Sequence, residues 1–312
     1  MEQTILITGS NGLLGQKLVH LLSQFPEIKL IATAKGPNRL TGDLKYTYVS
    51  LDITNELEVL EVFKTYKPNA LIHTAAMTNV DTCEADPEGC ELLNVTAVSY
   101  LIHACKSNNT FFCHVSTDFI FDGLSGPYDE EAKPCPISIY GESKLRAEQL
   151  LEASTIKWGI ARTILVFGIV EDMSRTNIIL WVKKSLEDGK TINVVTDQFR
   201  TPTLAEDLAM GCWLITKNHV QGIFNISGSD FLTPYEMAIK TAEFYHLPKE
   251  LIKKADSSTF SQPAKRPART GFILDKAKKV LGYSPSSFNE GIAFMAKQLK
   301  SPNSMITFKG QK

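Results

Sequence analysis

No stretch of this chain approaches the ~20 consecutive apolar residues that span a bilayer, so a transmembrane helix is not expected. A cleaved leader is not expected either: Met1-Glu2-Gln3-Thr4 carries no basic region and runs straight into a strand-like segment. An excess of one charge sign is also missing. With 33 Lys and Arg against 34 Asp and Glu, the net charge of −1 offers no electrostatic reason to bind nucleic acid or an anionic membrane. The six cysteines (Cys83, Cys90, Cys105, Cys113, Cys135 and Cys212) form no Cys-x-x-Cys pair, which fits scattered reduced thiols in a cytoplasmic protein. The six histidines form no His-x-x-x-His pair, so no metal site is expected.

What remains is the profile of a globular enzyme, with 43% hydrophobic and 21% charged residues. At 312 residues the chain can bury one large core and a smaller second one. Strand-like runs at 4–8, 29–34, 46–51, 70–75 and 110–116 alternate with helical patterns near 12–25, 55–66, 87–107 and 138–153. Several of these strands are apolar on both faces. That suits buried parallel strands joined by right-handed crossovers, so the predicted fold class is α/β, a Rossmann-type doubly wound parallel sheet. A sixth strand is read at 160–166. Further strands are read at 191–195 and 222–226, helices at 203–217 and 233–246, and a loop at 257–269. The predicted division is a dinucleotide-binding domain over 1–167, to which 200–228 returns. A smaller α/β C-terminal substrate-binding region covers 168–199 and 229–302, with a disordered tail at 303–312.

The first motif is Gly9-Ser10-Asn11-Gly12-Leu13-Leu14-Gly15, which follows the first strand and opens a helix. Glycines there permit a tight turn and let backbone N–H groups approach a pyrophosphate at the positive end of the helix. Cofactor choice is read at the end of the second strand, where Ala34-Lys35-Gly36 offers a cation and no acid follows nearby in the chain. A cation favours a 2′-phosphate, so NADP(H) is expected in preference to NAD(H). The second motif is Tyr140-Gly141-Glu142-Ser143-Lys144 near the start of a helix. Residues four apart share a helical face, and a nearby ammonium favours the phenolate, tuning a Tyr as general acid–base. Its partner is the run from His114 through Ser116-Thr117-Asp118-Phe119 to Gly123, at the predicted carboxyl end of strand five. A Thr117 hydroxyl there could hydrogen-bond the carbonyl oxygen that Tyr140 protonates.

With these motifs in this order, the chain resembles the extended short-chain dehydrogenase/reductase superfamily, and within it the dTDP-4-dehydrorhamnose reductases. Pro127-Tyr128, Ile139 to Leu145, Thr196-Asp197-Gln198-Phe199, Pro202-Thr203, Asp207-Leu208-Ala209 and Arg266-Pro267 extend the likeness along the chain. The resemblance implies that Thr117, Tyr140 and Lys144 are the catalytic set. It implies hydride transfer from NADPH to the C4 carbonyl of a nucleotide-linked 4-keto-6-deoxy sugar, as in dTDP-rhamnose formation. Cofactor contacts are implied for Gly9, Asn11, Gly12, Leu13, Leu14, Gly15, Lys35, Asp52, Ile53, Ala75, Ala76, Thr78, Asn94 and Ser116, besides Tyr140 and Lys144. Substrate contacts are implied for Thr117, Asp118, Phe119, Leu165, Arg200 and Arg266. The chain departs from the family where Phe119 replaces a Tyr, Leu165 a Trp and Arg200 a Gly. Another keto-sugar nucleotide remains an alternative substrate. So does a cofactor-binding regulatory role, because the β-subunit of methionine adenosyltransferase resembles the same family. A homodimer is compatible with the sequence but not specified by it.

Overall fold

The computed structural model describes residues 3–171, 176–260 and 263–300. The first half alternates as predicted: β1 (Gln3–Thr8), α1 (Leu13–Leu22), β2 (Ile28–Ala34), β3 (Thr47–Ser50), α2 (Glu56–Tyr66) and β4 (Ala70–His73). There follow α3 (Val80–Ala85), α4 (Pro87–Glu91), a π-helical turn (Leu92–Thr96), α5 (Ala97–Asn108), β5 (Phe111–Thr117), α6 (Ile139–Glu152) and β6 (Trp158–Thr163). The second half adds β7 (Val166–Phe167), α7 (Ile178–Glu187), β8 (Ile192–Val195), β9 (Thr203–Leu204), α8 (Ala205–Lys217), β10 (Gly222–Asn225), α9 (Pro234–Tyr245), β11 (Ile252–Ala255), α10 (Asp275–Leu281) and α11 (Phe288–Lys300).

Seven strands form one sheet in the order β10-β6-β5-β4-β1-β2-β3, and every pairing is parallel. Alternate residues of each strand feed opposite faces. Ile5, Ile7, Ile72, Cys113 and Ala161 join a core with residues of α1 and α8, while Leu6, Leu71, Phe112 and Ile160 join another with residues of α2, α5 and α6. Burial on both faces is why these strands lack a polar side. The strand order reverses at β1 and β4, so the loops after these two strands flank a crevice at the carboxyl edge of the sheet. Two smaller apolar clusters, one with Phe167, Phe288 and Met295 and one with Val182, Val194 and Ile252, build the remainder around α7, α9 and the β8–β11 pair.

The structure departs from the sequence reading in several places. The helix expected over 87–107 is split by the π turn, which widens the backbone and turns Asn94 inward. The strand expected over 160–166 stops at Thr163, and Leu165 takes a left-handed φ of 38° before β7 pairs with β9. Helices α3, α7, α10 and α11 and strand β11 have no counterpart in the prediction. Helix α7 opens on the unbroken apolar run Ile178-Ile179-Leu180-Trp181-Val182, which masks the helical spacing of its buried Ile179, Val182 and Leu186. The tail at 303–312 lies outside the described residues.

Candidate active site

The glycine turn is shaped by close approach. Gly9 has φ 76°, and a Cβ on Gly15 would lie 2.2 Å from the Gly9 carbonyl oxygen, so the helix can start this near the strand end only without side chains. Gly12 is the N-cap of α1 and supplies no side-chain cap, which leaves the first N–H groups of the helix available to an anion. Asn11 is spent on the neighbouring loop: its Nδ2 donates to Pro37 O at 2.9 Å, and its Oδ1 accepts from Arg39 N at 3.0 Å. It braces the β2–β3 connection rather than pointing freely into the crevice. Ala75 lies against the same turn, 2.7 Å from where a Gly9 Cβ would sit. Leu14 packs on the core, Leu13 is half-buried, and Ser10 Oγ and Ser116 Oγ are buried with no hydrogen-bond partner.

Lys35 is 79% exposed beyond β2, as expected, but it is not without an acid. Asp52, far along the chain, sits 2.6 Å away, raising the Lys35 pKa and lowering its own. Ile53 is buried in the core on the α2 side of the sheet, so Asp52 and not Ile53 forms the exposed rim there. Ala76 is half-buried and Thr78 exposed in the loop after β4. That loop is fixed by Asn94, whose Oδ1 accepts from Met77 N at 2.8 Å and whose Nδ2 donates to Met77 O and to Ser143 Oγ, both at 3.0 Å. Asn94 therefore ties the cofactor side of the crevice to the helix that carries Tyr140 and Lys144.

Helix α6 starts at a Ser138 cap, whose Oγ accepts from Gly141 N at 3.2 Å. Tyr140 and Lys144 are both buried on its inner face. Tyr140 meets Phe119 edge-on at 5.6 Å, and its phenol lies within hydrogen-bonding reach of the Thr117 hydroxyl. Burial pushes the phenol well above its ordinary value, with the Thr117 hydrogen bond pulling the other way. The lowering expected from Lys144 is not among the influences on the phenol: desolvation dominates, and the Asp118 charge adds to it. The Lys144 ammonium is itself lowered to about 8 by burial, and its Nζ lies 3.0 Å from His114 Nε2. His114 was part of the motif run, but no role was read for it. The period-2 alternation that puts it on the α6 face, with Phe112, was available in the sequence.

Asp118, next to Thr117, is buried. Its Oδ1 accepts from Thr117 Oγ1 at 3.1 Å, its Oδ2 accepts from Thr270 Oγ1, and Arg200 Nε lies 3.7 Å away. Burial raises its pKa, and Arg200 opposes that. Arg200 is not open to a ligand: it is 6% exposed and donates to the carbonyls of Phe199, Pro267 and Ala268. Arg266 pairs with Asp81 at 2.7 Å, and Arg269 stacks over Phe199 and Phe231. Of the predicted substrate contacts, then, Thr117, Asp118 and Phe119 stand beside Tyr140, whereas Arg200 and Arg266 are committed to the loop cover. Leu165 is 43% exposed at its left-handed bend. Between α7 and β8 lies an open pocket of about 330 Å³ lined by Asn177, Ile178, Trp181, Asn193, Val195 and Pro234.

The match to known proteins follows this layout. The model of the RmlD substrate binding domain matches residues 3–301, nearly the whole chain. The chain belongs to this family. Among relatives of the family, it is 29% identical over 300 residues to the dTDP-4-dehydrorhamnose reductase of Aggregatibacter actinomycetemcomitans, covering 92% of this chain and 96% of that protein. It is 30% identical over 253 residues to the methionine adenosyltransferase 2 subunit beta of Xenopus tropicalis, covering 80% and 74%. The crystal structure of the Bacillus anthracis dTDP-4-dehydrorhamnose reductase in complex with NADP superposes with a TM-score of 0.82 at 26% identity, covering 96% of this chain and 100% of that one. The fold and the extended short-chain dehydrogenase/reductase assignment read from the motifs hold for this RmlD-family chain.

Proposed function

We propose that this protein is an NAD(P)-dependent oxidoreductase that reduces the C4 keto group of a nucleotide-linked 4-keto-6-deoxy sugar, converting dTDP-4-dehydrorhamnose to dTDP-rhamnose with NADPH. The observation that carries this reading is the convergence of Thr117, Tyr140 and Lys144 at one end of the crevice whose other side is the glycine turn. The relatives named above supply the sugar-nucleotide class.

The cofactor fits the residues present. The uncapped start of α1 suits a pyrophosphate, the partnerless hydroxyls of Ser10 and Ser116 have hydrogen bonds to give, and exposed Lys35 suits a 2′-phosphate once Asp52 shares it. NADPH, when bound, supplies the hydride. Tyr140 then donates its phenolic proton to the oxygen of the former carbonyl, and Thr117 hydrogen-bonds the same oxygen. The high pKa of Tyr140 keeps the phenol protonated until that oxygen becomes basic enough to take the proton. Lys144 balances the phenolate left behind and binds the nicotinamide ribose. On this reading residues 1–167 with 200–228 form the cofactor domain, and 168–199 with 229–302 receive the sugar nucleotide. The apolar wall of the pocket between α7 and β8, with the exposed Asn193 amide on it, suits a nucleobase, while Asn177 is spent on capping α7 and on Gly168 O.

The test is NADPH oxidation with a panel of dTDP-, GDP- and UDP-linked keto sugars. Turnover should be fastest with dTDP-4-dehydrorhamnose; inactivity toward it beside robust use of another sugar would replace the substrate. The likeness to the methionine adenosyltransferase subunit supports a second reading as a regulatory partner. A stable hetero-oligomer with no ketone-dependent NADPH oxidation would establish that one instead.

A further inference from the structure

One face of the sheet carries an apolar row, Leu6, Leu71 and Phe112, under α5 and α6. Two residues further toward the carboxyl edge, the same face carries Thr8, His73 and His114 in register on β1, β4 and β5. All three are buried. His73 Nδ1 meets Thr8 Oγ1 at 2.7 Å, and the His73 ring stacks on that of His114 with centroids 5.4 Å apart. The row ends where His114 Nε2 meets Lys144 Nζ at 3.0 Å.

We propose that His114 is the positioning residue for Lys144: its neutral ring accepts a hydrogen bond from the ammonium and pins it to the end of β5. The proposal rests on the reading of Tyr140 and Lys144 as the catalytic pair and adds the residue that sets one of them. An ammonium has three N–H donors, so one given to His114 leaves two for the ribose and the Tyr140 side.

The direction of the hydrogen bond follows from charge. Burial holds His114 well below the usual histidine range, and the adjacent Lys144 pushes the same way, so the ring is neutral. Lys144, at about 8, is an ammonium at neutral pH and has no lone pair to offer. His114 Nε2 must therefore accept, which leaves the ring proton on Nδ1, a buried atom with no hydrogen-bond partner. The other groups around Lys144 are accounted for. Glu148, one turn along α6, is taken by Arg162 at 2.7 Å, Cys90 of α4 lies by Ser143, and His73 is neutral behind His114. Asp118 faces Arg200 and Thr270, while Asp81, Glu84 and Glu91 serve Arg266, the Ile139 N–H and Arg146. His114 is thus the uncharged acceptor at the ammonium.

The experiment uses the full chain. In the wild type, long-range ¹⁵N NMR of the histidines should show His114 as the Nδ1–H tautomer; an Nε2–H ring or an imidazolium would overturn the proposal without any variant. His114→Phe keeps the ring volume and removes the acceptor, whereas His114→Gln keeps an acceptor. The Lys144 Nζ titration, assigned by its loss in Lys144→Met, should drop by at least ~1 pH unit in the Phe variant and return toward wild type in the Gln variant. The kcat for reduction should fall ~5-fold near pH 8 in the Phe variant, with KM for the sugar little changed and the alkaline limb moved to lower pH. An unmoved midpoint in a folded Phe variant, or a Gln variant that behaves like Phe, would sink the assignment. If the midpoint moves in a protein that reduces no keto sugar, the catalytic reading fails and the His114–Lys144 pairing stands.

Discussion

The proposed catalytic wall and the loop cover treat buried polar groups in contrary ways. Along β5 and at the glycine turn, Ser10 Oγ, Ser116 Oγ and His114 Nδ1 are buried without partners. In the cover, the Arg200 guanidinium is spent on three backbone carbonyls and faces Asp118. A buried polar atom left unsatisfied costs ~1–3 kcal/mol, so a cluster of them beside a crevice is a cost that a ligand can recover. A saturated arginine has nothing to recover, and its work is to hold chain segments together. Of two regions that both looked like ligand contacts, one keeps buried polar atoms unpaired and the other spends its polar atoms on holding the chain together.

The largest effect that would break this contrast is at Arg200. Arg200→Met strands Asp118 as an uncompensated buried charge and should cost ~3–5 kcal/mol of stability, read by urea unfolding. Asp118 already has a raised pKa, so the folded state binds its proton more tightly than the unfolded chain does. Stability therefore falls as pH rises from the unfolded value near ~3.9 through the folded one. Losing Arg200 should widen that window, and the deficit of the variant should shrink on acidification. A pH-independent deficit would mean that the three carbonyls, and not Asp118, carry the effect.

Next in size is the wall itself. Tyr140→Phe should fold and bind NADPH yet lose at least ~10² in kcat, about 2.7 kcal/mol, because the proton donor is gone. Near-normal turnover would remove Tyr140 from the mechanism. A smaller effect is the alkaline limb of the wild type: rate should decline as pH rises through about 8, where Lys144 loses its charge. Loss only near pH 10 would show that the bound cofactor restores the ordinary lysine value. The smallest effect lies at the rim. Lys35→Ala should reduce the preference for NADPH over NADH several-fold with stability unchanged, and Asp52→Asn should raise that preference by freeing Lys35. Identical specificity constants across these variants would place cofactor choice elsewhere.

Much of the wall was legible because its information is local. Tyr140 and Lys144 are one helical turn apart, Gly9 to Gly15 lie within one strand–helix junction, and Thr117 ends a strand that opens on the apolar run Phe111-Phe112-Cys113. The cover was not legible. Arg200 reads as an exposed cation beside a family motif until Ala268 and Pro267 are folded onto it. Likewise, Lys35 had no acid in its vicinity until β3 was laid beside β2 and brought Asp52 to it.

By itself, then, the amino-acid order determined the alternation of buried strands and helices, the glycine turn, and the residue types able to move a proton at Tyr140. These follow from periodicity and from backbone freedom within a dozen residues or so, and no distant partner is needed to read them. Only the tertiary structure decided which cations are free and which are spent, how the π turn aims Asn94 at Met77, and that His114 lies against Lys144. Each of those depends on contacts between segments far apart in the chain, where register and layer order, and not residue type, set which groups meet.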